Sequence, residues 1–150
     1  KMNAIYKREL LKQNPDFFPG IKKVIQALAK SYKLFVVSSN NHKELDSKLR
    51  KLNVHDYFSK IVGGEAGPLH KSQPILDILK EESLNPLEVV MVGDRLVDFT
   101  TAKECGINQI ILVEYGWGYD KEKISEYKQI ILVHNPKDIL VAVEHIANGE

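Results

Sequence analysis

A chain of 150 residues is long enough for one domain with a sizeable core, and 43% hydrophobic and 27% charged residues are typical of an ordinary soluble globular protein. The formal net charge of +1 argues against a basic nucleic-acid surface and against a disordered acidic tail, so we expect no nucleic-acid partner. The single cysteine, Cys105, excludes an internal disulfide and fits a reducing cytoplasm, and the absence of any apolar run near the roughly 20 residues of a membrane span predicts no membrane partner.

The first half of the chain alternates predicted helices and strands. Residues 1–12 mix apolar and charged side chains, which predicts a surface helix that ends at Asn14-Pro15. Apolar residues at helical spacing predict an amphipathic helix over 21–31. The run 34–37 predicts a buried strand that leads into a polar loop at 38–41. A helix through Leu45, Leu49 and Leu52, with Asn53 as its C-terminal cap, and a short strand at 60–62 follow.

The second half repeats this alternation. A loop at 63–68 precedes a helix that Ser72 is expected to cap, and Asn85-Pro86 separates that helix from the next strand. Three apolar runs predict further buried strands at 89–92, 110–113 and 130–133, and helices are expected at 96–105, after Tyr119 and from Pro136 onward. Strands that alternate with helices predict an α/β fold with a doubly wound parallel sheet between two helical layers. We expect a helical lead-in at 1–16 and one core domain at 17–150.

The segment after the third predicted strand carries two acidic residues at a chemically informative spacing. Gly93 ends the strand, Asp94 follows it directly, and Asp98 comes four residues later at the start of a predicted helix. Four residues are about one helical turn, so both carboxylates can face the point beyond the strand where parallel sheets bind ligands. Carboxylate oxygens suit Mg²⁺. The alternative is that Asp94 caps the helix and Asp98 is a solvated surface charge.

Two further polar segments are candidates for phosphate binding. Ser38, Ser39 and Asn40 follow a buried strand, where a hydroxyl and backbone N–H groups can hold a phosphate oxygen. The alternative is a simple turn and cap. Lys71 precedes a predicted helix, and its ammonium group suits a phosphate or a carboxylate nucleophile, whereas the alternative is a solvated surface charge.

The order of these segments resembles that of the haloacid dehalogenase superfamily of phosphohydrolases, and most closely its phosphoglycolate-phosphatase-like branch with a helical cap. The resemblance covers nearly the whole chain, and it implies a Rossmann-like core that hydrolyses small phosphate esters with Mg²⁺ through an aspartyl-phosphate intermediate. The segments that carry it are Phe18-Pro19-Gly20, the strand ending at Ser38, Asp56-Tyr57-Phe58, Gly63-Gly64-Glu65, Lys71 before a helix, and residues 89–98.

The resemblance also implies a role for each candidate residue. Ser38 would bind the transferring phosphoryl group, and Ser39 and Asn40 would shape the surrounding loop. Lys71 would bridge the phosphate and the nucleophile. Asp94 would bind Mg²⁺ directly, and Asp98 would hold the metal through water or position the lysine.

The chain departs from the family pattern at its start. The family's nucleophile lies in an Asp-x-Asp motif on its first strand, but the only aspartate before Ser38 is Asp16, which follows Pro15 in a predicted loop. Lys1 is not a natural start residue, so we expect the first strand and the cap to lie outside these 150 residues. The sheet would then lack its central strand, between those that carry Ser38 and Asp94. The chain alone is expected to be inactive, and no particular substrate is predicted.

Three alternatives stay open at this point. A metal-free haloacid dehalogenase shares the fold, but Asp94 and Asp98 argue against it because paired acids need a cation. A non-catalytic phosphate- or partner-binding relative would lack the nucleophile altogether. An unrelated nucleotide-binding or receiver domain is disfavoured because the sequence has neither Gly-x-Gly-x-x-Gly nor a phosphate-binding Gly-Lys-Ser/Thr loop.

Overall fold

Helices and strands alternate along the described part of the chain. The structure is a computed structural model that describes the backbone of residues 3–6 and the residues 20–64, 72–115 and 120–149. The elements are β1 (Asn3–Tyr6), α1 (Ile21–Ala29), β2 (Leu34–Asn41), α2 (His42–Lys51), β3 (Phe58–Gly64), α3 (Ser72–Glu81), β4 (Val89–Gly93), α4 (Leu96–Glu104), β5 (Gln109–Val113), α5 (Lys121–Ile124), β6 (Ile130–Val133) and α6 (Pro136–Ala147). Single 3₁₀ turns lie at His55–Tyr57 and Pro86–Glu88.

Among the described residues, six strands form one sheet in the order β3-β2-β1-β4-β5-β6, and every neighbouring pair is parallel. Two buried apolar clusters cover its faces. Alternation along β2 divides them, because Leu34 and Val36 join one cluster whereas Phe35 and Val37 join the other. Helices α1, α2 and α6 contribute to the first cluster, and α3, α4 and α5 to the second. This arrangement confirms the predicted α/β fold with a doubly wound parallel sheet.

The centre of the sheet differs from the prediction. Residues 3–6 form β1 rather than part of a surface helix, and β1 lies between β2 and β4, where we expected a gap. Ile5 is paired with Phe35 on one side and Met91 on the other. The physical reason is that two buried strands would otherwise leave backbone N–H and C=O groups without partners, which outweighs a weak helical pattern. The rest of the predicted lead-in lies outside the described residues, and the domain division stays a prediction.

The predicted loop at 38–41 is also wrong in part, because β2 continues through Asn41 and β3 continues through Gly64. The pairing is irregular there. Val37 lies opposite Val62 and Asn41 opposite Gly64, so β2 advances four residues where β3 advances two. Residues 38–40 therefore form a bulge within the ladder, here called the β2 bulge, which explains why their sequence looks like a loop.

Helix ends follow their local signals closely. Asn53 comes directly after the last helical turn of α2 with a φ of 57°, as expected for a C-terminal cap. Pro136 begins α6, and the side chain of Asn135 accepts a hydrogen bond from the Asp138 N–H. In the part of the chain that the structure describes, no helix has the length and apolar character needed to cross a membrane.

Candidate functional site

Ser38 and Asp94 lie at the same edge of the sheet and at the same depth. Tyr6 on the central strand pairs with Val36 on β2 and with Val92 on β4. Ser38 and Asp94 are each two residues further along the chain. Because parallel strands are about 4.8 Å apart, two strand spacings separate their backbones by roughly 10 Å. This is the carboxyl edge of the sheet, where open α/β sheets bind ligands.

Asp94 is positioned by a strand that is buried along its whole length. All five residues of β4 are buried, and Asp94, the next residue, is itself 0% exposed. A carboxylate in such a place is costly unless hydrogen-bond donors or a cation stabilise its charge. A buried carboxylate at this edge is therefore a candidate ligand for a cation.

Asp98 supports the backbone of Asp94. Its Oδ2 atom accepts hydrogen bonds from the backbone N–H of Asp94 at 3.0 Å and of Arg95 at 3.1 Å. Arg95, rather than Asp94, occupies the N-cap of α4, and Asp98 is 0% exposed. The alternative in which Asp94 caps the helix and Asp98 is a solvated charge is therefore wrong. Asp98 instead ties the first turn of the helix to the end of the strand.

This contact requires a glycine at the end of β4. A Cβ atom on Gly93 would lie 2.4 Å from Oδ2, 2.6 Å from Cβ and 2.7 Å from Cγ of Asp98. The Asp98 carboxylate thus occupies the space that any other side chain would fill. Sequence reasoning treated Gly93 only as the end of a strand. The signal that was available is its position directly before one acidic residue and five before the other.

Ser38 lies at the start of the β2 bulge and is 0% exposed. Its Oγ atom accepts a hydrogen bond from the Asn40 N–H at 3.1 Å, which is a local turn within the bulge. A hydroxyl that accepts one bond can still donate its own hydrogen to an oxygen such as that of a phosphate. Ser39 and Asn40 are half-buried.

The N-terminus of α2 follows the bulge directly. The side chain of Asn41 caps this helix by accepting hydrogen bonds from the Lys43 N–H at 2.9 Å and the Glu44 N–H at 3.4 Å. The cap fixes the backbone that leaves the bulge, so the position of Ser38 depends on both strand pairing and helix capping.

Two parts of the predicted site are not assembled by the described residues. Lys71 lies outside them, so its approach to the two aspartates stays a prediction. The chain does contain a central strand, but Lys7 and Arg8 follow it in the sequence where the family resemblance requires an Asp-x-Asp motif. The sequence therefore provides a central strand but no Asp-x-Asp motif after it.

The donor set fits Mg²⁺ by its chemistry. Within the described ranges no group of three or more histidine, cysteine, aspartate or glutamate side chains is arranged to hold a metal ion. Mg²⁺ does not need such a cage, because it commonly binds one or two carboxylates together with water and phosphate oxygens. Asp94 and Asp98, four residues apart at the carboxyl edge, are carboxylates of the kind that would hold Mg²⁺ in this way.

Comparisons with known proteins identify the family of this chain. The sequence profile described as "Haloacid dehalogenase-like hydrolase" matches residues 1–112. A phosphorylated carbohydrates phosphatase from Thermotoga maritima is 30% identical over 141 residues, covering 92% of this chain and 62% of the relative. A phosphoglycolate phosphatase from Psychrobacter arcticus is 27% identical over 110 residues, covering 72% of this chain and 46% of the relative.

The structural comparison leads to the same family. A haloacid dehalogenase-like hydrolase from Streptococcus pneumoniae superposes with a TM-score of 0.73 at 26% identity, covering 83% of this chain and 58% of that chain. The chain thus spans about half to three-fifths of the length of these relatives. The parallel sheet, the profile match and the superposition together make this chain a member of the haloacid dehalogenase-like hydrolase family.

Proposed function

We propose that this chain is the core of a Mg²⁺-dependent phosphatase that hydrolyses small phosphate esters. The observation that carries the proposal is the placement of buried Ser38 and buried Asp94 at equal depth on the carboxyl edge, with Asp98 bracing the Asp94 backbone. Relatives named phosphoglycolate phosphatase and phosphorylated carbohydrates phosphatase support a small phosphorylated substrate. The nucleophile would come from a segment outside residues 1–150.

Each residue has a separate task in this proposal. The Ser38 hydroxyl donates a hydrogen bond to a non-bridging oxygen of the phosphoryl group. Lys71 places positive charge between that group and the nucleophile. Asp94 holds Mg²⁺, and Asp98 keeps the Asp94 backbone in place through its two accepted hydrogen bonds.

The chemistry divides into two steps. The nucleophilic carboxylate forms a bond to phosphorus as the ester oxygen leaves, and water then cleaves the aspartyl-phosphate to release inorganic phosphate. When bound, Mg²⁺ supplies positive charge that stabilises the phosphoryl oxygens. The residues of this chain bind and orient the phosphoryl group, so they provide electrostatic rather than covalent catalysis.

One observation favours a second candidate, a non-catalytic phosphate-binding domain. The central position, which the family resemblance assigns to the strand with the nucleophile, is occupied by β1, and Lys7 and Arg8 follow it in the sequence. Lysine and arginine side chains cannot form an aspartyl-phosphate. Both candidates would bind phosphate at the same site, but only the phosphatase would hydrolyse phosphate esters.

The test is the substitution Asp94→Asn in the natural protein that contains this chain. We expect Mg²⁺-dependent hydrolysis of p-nitrophenyl phosphate to fall by roughly 100-fold or more, because a lost carboxylate ligand removes several kcal/mol of charge stabilisation. Asp77→Asn is the matched control, since Asp77 is exposed on α3, where it accepts a hydrogen bond from the Gln73 side chain. Unfolding curves of both variants confirm that the fold is kept.

The outcomes separate the candidates. Unchanged turnover in Asp94→Asn would refute the metal-binding role of Asp94. A natural protein that binds inorganic phosphate in calorimetry but hydrolyses no phosphate ester would support the non-catalytic candidate. Turnover that does not depend on Mg²⁺ would contradict both the cofactor and the role of the acidic pair.

A further inference from the structure

Gly63 lies opposite the β2 bulge, and its position is unusually crowded. It falls in β3 between Val62, which pairs with Val37, and Gly64, which pairs with Asn41. Two residues of β3 therefore span the stretch in which β2 advances four. The extra residues of β2 are left without a pairing partner and disrupt the ladder opposite Gly63.

The crowding at Gly63 comes from backbone atoms. A Cβ atom there would lie 2.6 Å from the Cα of His42, 2.9 Å from the Asn40 carbonyl oxygen and 2.9 Å from the His42 nitrogen. Backbone atoms cannot rotate away as the end of a flexible side chain can. The φ of Gly63 is outside the left-handed region, so glycine is needed here for space and not for its conformation.

The crowded atoms belong to the segment that holds Ser38. The N–H of Asn40 donates to Ser38 Oγ, and the carbonyl of the same residue is one of the atoms that a Cβ on Gly63 would meet. His42 begins α2, directly after its cap Asn41. Any shift that made room for a side chain would therefore displace the hydrogen-bond partner of Ser38, the start of the helix, or both.

We propose that Gly63 is a positioning residue for the phosphate site, because its missing side chain lets β3 close against the β2 bulge and thereby fixes Ser38 Oγ. This inference rests on the proposed phosphate-binding role of Ser38. Gly63 itself touches no substrate. It acts through the backbone of Asn40 and His42, and no role in binding was assigned to it from the sequence.

The first measurement tests the geometry without reference to phosphate. In Gly63→Ala, the Asn40 amide is expected to lose hydrogen-exchange protection, because its bond to Ser38 Oγ is displaced. Val62→Ala is the matched control, since it removes two methyl groups from the same strand without adding an atom near Asn40 or His42. Equal protection of the Asn40 amide in both variants and the wild type would overturn the proposal.

The second measurement is competitive inhibition of the natural protein by inorganic phosphate. Gly63→Ala is expected to raise the inhibition constant by roughly 10- to 100-fold, since the loss of one hydrogen bond to a charged phosphate oxygen changes affinity by a factor of that size. Val62→Ala is expected to lower the urea midpoint and leave the constant unchanged. A lower midpoint in both variants with the same constant as the wild type would reduce Gly63 to a structural role and overturn the proposal.

A further variant keeps the test valid if Gly63→Ala does not fold. Asn41→Ala frees the same segment without adding volume, and loss of a helix cap costs only about 0.5–2 kcal/mol. The inhibition constant is expected to rise in this variant too, and an unchanged constant would contradict the proposal.

A wild-type protein that binds no phosphate would overturn the proposed function, whereas lost Asn40 protection in Gly63→Ala would still support the packing of β3 against the bulge.

Discussion

Replacing Asp98 with alanine should destabilise the protein even in the absence of any metal ion. The side chain is fully buried, and its Oδ2 atom accepts two backbone hydrogen bonds, from Asp94 and Arg95. A buried donor that loses its acceptor costs about 1–3 kcal/mol, and the half-buried Arg95 N–H adds less because water can reach it. Removal of a buried charge returns part of this cost. We therefore expect a net loss of about 2 kcal/mol.

The assay is urea unfolding monitored by circular dichroism in the presence of a chelator. If the same proteins are unfolded by heat, a loss of about 2 kcal/mol corresponds, for a domain of this size, to a fall in Tm of roughly 4–8 °C. Asp98→Asn is the matched control, because an amide oxygen can accept the same two hydrogen bonds. We expect this variant to lose about half as much stability as Asp98→Ala. The unfolding slope should be the same in all three proteins.

Two results would refute the reasoning. If Asp98→Ala unfolds at the same urea concentration as the wild type, Oδ2 does not hold the Asp94 backbone. If Asp98→Asn is as unstable as Asp98→Ala, the charge rather than the acceptor geometry stabilises the turn.

Two further predictions concern α6 and the end of β5. Asn135→Ala should cost about 0.5–2 kcal/mol in urea unfolding, because the Asn135 side chain caps α6, and Asn135→Asp should restore most of it. His134 donates a hydrogen bond to the Glu114 carboxylate, which raises the pKa of His134. This pair therefore stabilises the fold fully below the ordinary histidine pKa of about 6.5 and loses its effect as pH rises through the raised pKa. An NMR titration should find a lower His134 pKa in Glu114→Gln, and an unchanged value would exclude the pair as the cause.

The sequence predicted those elements whose signals are local. The runs 89–92 and 130–133 are apolar and rich in β-branched residues, and both are strands in the structure. Gly93 directly follows the first run, and Asn135-Pro136 comes shortly after the second. Pro136 is the first residue of α6, and proline at the first helical position is likewise a signal that depends only on the local sequence. The four-residue spacing also indicated that Asp94 and Asp98 lie close together, and the Asp98 carboxylate does contact the backbone N–H of Asp94, whereas the convergence of the two carboxylates on one metal ion stays a prediction.

Elements that depend on distant partners could not be predicted in this way. Residues 3–6 carry no strand pattern of their own, and their conformation follows from the two buried strands on either side. The close approaches of Gly93 and Gly63 to other segments are likewise visible only in three dimensions. Lys71 was singled out for its place before a helix, and its role stays a prediction.

The short central strand has a consequence for how the chain folds. The pairs β1–β2, β2–β3, β4–β5 and β5–β6 join strands that are consecutive in sequence, whereas β1 and β4 pair across most of the chain, as Ala4 with Val90. Contacts of such long sequence separation form slowly because a large loop must close first. The parts β3-β2-β1 and β4-β5-β6 can therefore form before β1 pairs with β4, and this pairing, which involves only the four residues of β1, is expected to open more readily than the rest of either part. The β1–β4 pair at the centre of the sheet is then expected to be the slowest strand pair to form and the first to open.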